Sequence, residues 1–181
     1  MKLLKLPLRI QKIFLVSDLQ TTYYKTPIGT AKIVGNENGI QSVSVLDDEL
    51  STQLEITKTK NISTCLQNCV TQLEEYFTGT RTEFNLKLNP QGTAFQQKVW
   101  SELLNIPFNK SSTYLQQTKQ IGDPKAIRAV ASANGKNPIW IIIPCHRVIG
   151  SDGSLTGYAG GIWRKKWLLE HESGCKQQSL F

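Results

Sequence analysis

The residues best suited to chemistry sit in one run, Pro144-Cys145-His146-Arg147. A cysteine attacks carbon as its thiolate, and a neighbouring imidazole or positive charge favours that form. His146 is one of 2 histidines in 181 residues, and Arg147 supplies a cation. Three branched apolar residues, Ile141-Ile142-Ile143, lead into Pro144. That pattern predicts a short buried strand, ended where proline fixes φ and removes a donor. A bare Cys-His pair also fits a buried thiol beside a structural histidine, because free cysteines are often core residues. The surrounding residues decide between the two.

A helix is predicted over Trp163 to Glu172, with Leu168 and Leu169 on the same face as the terminal carboxylate. A carboxylate on an apolar face needs a partner, because an unpaired buried charge is costly. His146 is the candidate, and Glu–His–Cys is the arrangement of an oriented base beside a nucleophile. His171 is expected at the surface near the helix C-terminus, where positive charge is favoured. Gly157-Tyr158-Ala159-Gly160-Gly161 holds an aromatic between glycines, and such thinly covered backbone can lie against a flat ligand.

Upstream, Ser111-Ser112 offer caps for a helix over Thr113 to Gln120, closed by Gly122. Asp123-Pro124 has the cap-then-proline order that opens a helix, here Lys125 to Asn134. Two short helices around a tight turn resemble a helix-turn-helix. In the second, Ala126, Ala129, Ser132 and Ala133 leave a nearly bare side, with Arg128 the one long charged side chain amid them. An Ala-rich helix with a solvated arginine is the bland reading. The sharper one is a helix laid in a DNA groove, with Arg128 inserted at a base step.

The remaining elements must hold these residues in place. Ala31 to Val34 and Ile40 to Leu46 read as strands around the turn Asn36-Glu37-Asn38-Gly39. Ile13 to Val16 is a further candidate strand, and Asp47 to Lys60 reads as loop. Thr64 and Gln67 make a capping box for a helix whose apolar face is Leu66, Cys69, Val70, Leu73, Tyr76 and Phe77. Phe84, Leu86 and Leu88 alternate with polar residues as a last strand. Asn89-Pro90-Gln91-Gly92 is a turn cluster and the expected boundary between an α/β unit, 1–90, and a helical unit, 91–181. Thr93 and Gln96 form a second capping box, with Phe95, Val99 and Leu103 at helical spacing and Pro107 ending the run.

Composition narrows the classes. No apolar run could span a bilayer or serve as a signal segment, so the expected compartment is the cytoplasm. Four cysteines in a reducing compartment are expected as free thiols, with Cys65 and Cys69 in the core and Cys175 exposed. The net charge of +7 is lopsided, about +1 for residues 1–90 and +6 for 91–181. The basic excess shares the half that holds Cys145, and a polyanion such as nucleic acid is the expected partner. No paired ligand set accompanies Cys145-His146, so no metal or other cofactor is expected.

With these residues in view, the chain resembles the methylated-DNA–protein-cysteine methyltransferases, the O6-alkylguanine-DNA alkyltransferases, and among them the bacterial Ogt-like members. The likeness rests on Asn137-Pro138, on Pro144-Cys145-His146-Arg147-Val148-Ile149-Gly150 and on Leu155-Thr156-Gly157-Tyr158-Ala159-Gly160-Gly161. It extends back through Ile121 to Val130 and Phe95 to Trp100, and forward to Trp167-Leu168-Leu169-Glu170-His171-Glu172. Tyr23 to Gly29 carries a weaker likeness to the family's N-terminal domain.

The resemblance implies a ribonuclease H-like α/β N-terminal domain and a helical C-terminal domain with a winged-helix/helix-turn-helix motif. It implies a monomer that acts on double-stranded DNA containing O6-alkylguanine, with O4-alkylthymine as a further candidate. The second helix of the helix-turn-helix would enter the minor groove and the damaged base would be flipped out. By matching position, Cys145 accepts the alkyl group, His146 takes the thiol proton through a water, and Glu172 orients His146. Asn137 braces the turn, and Tyr114 donates to guanine N3. Lys125, Ala126, Arg128 and Ala129 bind DNA, Arg128 filling the space the base leaves. Val148, Tyr158, Ala159 and Asn134 shape the base pocket.

The chemistry is consistent with that assignment. Displacement at a methyl carbon needs a soft nucleophile and no oxyanion hole, and a thioether product is not readily hydrolysed, so the reaction is single-turnover. Two places depart from the usual pattern: Asn109-Lys110-Ser111 stands where a glycine followed by an acidic residue is usual, and Trp140 where a smaller residue or proline is usual. A non-catalytic DNA-damage-binding or regulatory module is the alternative, and a thiol hydrolase using the same three residues is a third. The family's non-catalytic relatives carry tryptophan in place of the cysteine, and Cys145 argues against that class.

Overall fold

A computed structural model describes residues 18–46 and 62–174. The candidate strand at Ile13–Val16, the loop at Asp47–Lys60 and Cys175 lie outside the described residues. Three antiparallel strands, β1 (Gln20–Thr26), β2 (Gly29–Asn36) and β3 (Gly39–Leu46), form a sheet in the order β1-β2-β3. Ala31, Ile33, Val43 and Val45 point into the core while Lys32, Ser42 and Ser44 are less buried, the alternation of a sheet with one covered face. At the turn between β2 and β3, Asn36 Oδ1 accepts from Asn38 N at 2.9 Å. Gly39 follows at φ 135°, where an added Cβ would stand 2.8 Å from Lys87 O.

Helix α1 (Thr64–Phe77) covers the sheet with Leu66, Cys69, Leu73 and Tyr76. Its cap is Ser63, one residue earlier than expected, whose hydroxyl accepts from Leu66 N. Cys69 is buried as expected, but Cys65 is only half-buried. Phe84 to Leu88 does not form a strand. It contributes one bridge, Leu88 beside Ile40, because β3 accepts single residues along that edge instead of a full partner.

The second half is helical. Helix α2 (Ala94–Leu103) opens with the expected capping box of Thr93 and Gln96. Helix α3 (Tyr114–Ile121) is capped by Thr113 in a box with Gln116, and Gly122 closes it at φ 90°. Ser111 and Ser112 are not its caps: Ser112-Thr113 form β4, parallel to β5 (Val148–Ile149). Helix α4 (Ile127–Gly135) begins later than expected and has no side-chain cap. Asp123 instead closes the turn between the helices, its carboxylate accepting from Lys125 N at 3.0 Å and its carbonyl from Ala126 N at 3.0 Å. Helix α5 (Ile162–Ser173) ends at Gly174, at φ 71°.

Ile141–Ile143 is buried but is not a strand. Ile141 sits at φ 73°, and the chain folds through successive short-range bonds, Ile142 N to Trp140 O, Ile143 N to Ile139 O and Cys145 N to Ile143 O. β-branched residues favour strands only where a pleated partner receives them. The residues just before the segment meet β3 at one point, Val43 beside Ile139, flanked by Val43 N to Pro138 O and Trp140 N to Val43 O at 2.9 Å each. The sheet of the first half therefore props the turn that carries Cys145.

Candidate active site

Cys145, His146 and Arg147 form a single 3-10 turn, and all three are buried. Asn137 organises the approach to it. Its Nδ2 donates to Ile143 O at 2.8 Å and to Cys145 Sγ at 3.2 Å, while its Oδ1 accepts from Ile139 N at 3.0 Å. Burial pushes the Cys145 thiol above its ordinary value, against the Asn137 hydrogen bond and the Lys165 charge, which both pull it down. The resting residue is a neutral thiol. This corrects the expectation that Arg147 supplies the activating charge, because the guanidinium is already neutralised by Glu172.

Glu172 is the hub. Its Oε1 meets His146 Nε2 at 2.8 Å, and Arg147 Nε donates to its Oε2 at 2.9 Å. Asn109 N donates to Oε2 at 3.1 Å, and Tyr76 OH to Oε1 at 2.9 Å. Burial alone would raise this carboxyl, but hydrogen bonds and charge from His146 and Arg147 hold it down to about 2. It is an anion at neutral pH, so the His146 proton belongs on Nε2, facing it. Burial lowers the His146 pKa, with Glu172 opposing, and the ring is neutral. Its Nδ1 is then a bare acceptor, and it is buried with no hydrogen-bond partner among the described residues. His171, expected at the surface, is half-buried instead. It stacks on Trp167 with ring centroids 5.0 Å apart and reaches Tyr76 O at 2.7 Å.

Asn109 occupies φ 57°, a left-handed conformation that asparagine tolerates better than most residues. That explains its replacement of the usual glycine and keeps its N–H aimed at Glu172.

The other wall is the loop after β5. Tyr114, at the start of α3, donates to Thr156 O at 3.1 Å, with Gly157 O at 3.4 Å. Tyr158 packs on Trp140 with centroids 5.6 Å apart, and both are half-buried. Trp140 also covers Gly160, where an added Cβ would stand 2.6 Å from its ring. Val148 is buried and Ala159 exposed. Asn134, expected in the pocket, is instead turned into the helix pair: its Nδ2 donates to Gln117 Oε1 at 2.7 Å and its Oδ1 accepts from Gln117 Nε2 at 3.3 Å. On the outer face of the helix pair, Lys125, Arg128 and Ala129 are exposed and Ala126 is half-buried.

Three buried groups were not anticipated. Lys165 Nζ donates to Val148 O at 2.5 Å and Thr156 O at 2.8 Å, tying β5 to the loop. Burial drives its pKa down to about 8, against the pull of Cys145. Arg164 anchors Ile28 O and Gly160 O at 2.8 Å each. Tyr76 reaches the site from α1. Lys165 lies three and seven residues before Leu168 and Glu172, so the helical repeat already put it on the buried face. A tyrosine in the apolar stripe of α1 implied a partner for its hydroxyl.

Comparison with known proteins adds independent evidence. The 6-O-methylguanine DNA methyltransferase ribonuclease-like domain family matches residues 19–90, and the DNA binding domain family of the same enzyme matches residues 94–174. A methylated-DNA–protein-cysteine methyltransferase of Methanosarcina acetivorans is 42% identical over 84% of this chain and 97% of its own length. One from Methanosarcina barkeri is 45% identical over 82% and 93%. The crystal structure of Mycobacterium tuberculosis OGT in complex with DNA aligns over 87% of this chain and 95% of that one, at 42% identity and a TM-score of 0.75.

Proposed function

The chain belongs to the 6-O-methylguanine DNA methyltransferase family, and from its site we propose how it reverses alkylation damage in DNA. It is a methylated-DNA–protein-cysteine methyltransferase, and its substrate is double-stranded DNA bearing O6-alkylguanine, with O4-alkylthymine a further candidate. The helix pair α3–α4 docks in the minor groove, and the damaged base turns out of the stack with Arg128 in its place. Tyr158 and the backbone of Val148 and Ala159 receive it. Asn134 supports the helix pair and takes no part in the pocket.

The observation that carries the mechanism is the bare, buried Nδ1 of His146, the residue that follows a thiol Asn137 already touches. A water bridging Sγ and Nδ1 satisfies both groups and carries the thiol proton to the ring. Nε2–H stays on Glu172, which stabilises the imidazolium that forms. Asn137 and Lys165 stabilise the thiolate. The sulfur then attacks the alkyl carbon: the S–C bond forms as the C–O6 bond breaks, and its electron pair passes into the purine. Tyr114 leaves its loop carbonyl and gives its phenolic proton to guanine N3, so the base departs neutral, and the proton that His146 took from the thiol returns through solvent to the phenolate. The thioether is stable, and each molecule acts once.

No described helix is long and apolar enough to cross a membrane. Cys65, Cys69 and Cys145 are free thiols. The reaction consumes a reduced Cys145, and on that ground we assign the protein to the cytoplasm, acting as a monomer.

Intact-mass spectrometry after incubation with a duplex containing O6-methylguanine tests the proposal. The expected result is a gain of one CH2, mapped to Cys145 and absent in Cys145→Ala. Tight DNA binding with unchanged mass would leave a non-catalytic binding module in its place.

A further inference from the structure

Tyr76 belongs to α1, in the half of the chain that carries none of the proposed catalytic groups, yet its hydroxyl ends 2.9 Å from Glu172 Oε1. The ring is fully buried and held by Phe77 at 5.3 Å, Phe84 at 5.4 Å, Phe108 at 6.3 Å and His171 at 5.1 Å between centroids. A phenol so placed cannot rotate away from the carboxylate without unpacking the cage. We propose that Tyr76 is a positioning residue for alkyl transfer: it occupies Oε1 of Glu172 beside His146 Nε2 and limits how strongly the carboxylate holds a proton on the ring. The proposal rests on the proposed function above.

The groups facing this carboxylate are His146 and Arg147 from the 3-10 turn, Asn109 N from the loop after α2, and Tyr76 from α1. Those facing the phenol are Glu172, His171, Arg147 and Tyr158, and Lys165 and Arg147 both disfavour charge on His146. Tyr76 stays protonated, because burial and Glu172 raise it well above the ordinary phenol. It is therefore a fixed donor. A carboxylate that shares its charge with a donor offers less of it to the imidazolium. Without the hydroxyl, His146 holds a proton up to a higher pH, and a protonated His146 cannot accept one from the thiol.

The test is the single-turnover rate of alkyl transfer from O6-methylguanine duplex as a function of pH, in wild type, Tyr76→Phe and Phe84→Leu. Tyr76→Phe keeps the ring and should move the acid limb to higher pH, slowing transfer there by about three- to tenfold, the worth of one hydrogen bond. The rate at higher pH should be recovered. Phe84→Leu loosens the same cage and should lower the melting temperature without moving the limb. Site-specific 3-fluorotyrosine at position 76, a stronger donor of nearly the same size, should move the limb the opposite way and serves if Tyr76→Phe does not fold. A loss uniform across pH, or superimposable profiles, would overturn the role of Tyr76 alone. Wild-type protein that transfers nothing would overturn the proposed function, and this inference with it.

Discussion

Asn137 Nδ2 lies 3.2 Å from Cys145 Sγ while the same nitrogen holds Ile143 O at 2.8 Å. One amide thus both shapes the turn and touches the nucleophile. Its oxygen accepts from Ile139 N, which fixes the amide's orientation and points the nitrogen at sulfur. Asn137→Asp keeps the acceptor, removes the donor and places negative charge beside the sulfur. A hydrogen bond to a charged group is worth about 1.5–3 kcal/mol, so single-turnover transfer at neutral pH should fall about 10- to 100-fold. The rate should recover partly at higher pH, where the thiol ionises without help.

Lys165 contributes a buried charge to the same sulfur. Lys165→Met removes it and frees the Val148 and Thr156 carbonyls. Transfer should slow by about tenfold or more, with ionisation of the Cys145 thiol displaced to higher pH. Because burial depresses Lys165 to about 8, its unfolded form binds more protons between that pH and 10.5. Wild-type stability should therefore rise across that window as pH rises, and Lys165→Met should lose that slope. Urea unfolding at several pH values reads both.

Glu172 titrates in the opposite region. Its folded pKa of about 2 lies below the ordinary 4.5, so the stability it confers is full above 4.5 and is lost as pH falls toward 2. His146, lowered from 6.5 by burial, adds a loss that begins below that value. Acid should destabilise wild type in two overlapping steps. Glu172→Gln should remove the lower one and cost about 3–5 kcal/mol at neutral pH, because it breaks a buried charge pair. Chemical denaturation followed by circular dichroism measures the difference.

Arg128 is exposed on α4 and touches neither sulfur nor carboxylate. Arg128→Ala should therefore leave transfer from free O6-alkylguanine base unchanged while slowing transfer from duplex DNA by about tenfold or more, since an extruded base then has nothing to hold its place. Paired kinetics on the two substrates separate the effects.

Local rules carried much of this from sequence. The box of Thr93 and Gln96 opens α2 where read, and Gly122 closes α3. The Glu172–His146 contact followed from a carboxylate on an apolar helix face. What failed were readings of a segment's shape or charge that depended on neighbours outside it. Ile141–Ile143 has strand composition, yet it coils: the Ile143 carbonyl serves Asn137, and the one bridge nearby joins Val43 to Ile139, before the segment begins. Asp123 looked like a helix cap and closes the inter-helix turn instead. Arg147 looked like the activating cation, but its charge is spent on Glu172, and Lys165, distant in sequence, takes that part. Burial itself, which keeps the resting thiol neutral, has no signature in a Cys-His pair.

Trp140, packed against Tyr158 at the wall of the proposed pocket, gives the protein a built-in optical reporter. An indole that close to an incoming purine should change its emission when the base arrives, so seating of the lesion can be timed by stopped-flow fluorescence without a label. With Trp140→Phe as the silent control, extrusion of the base and bond-making at sulfur become separately observable steps.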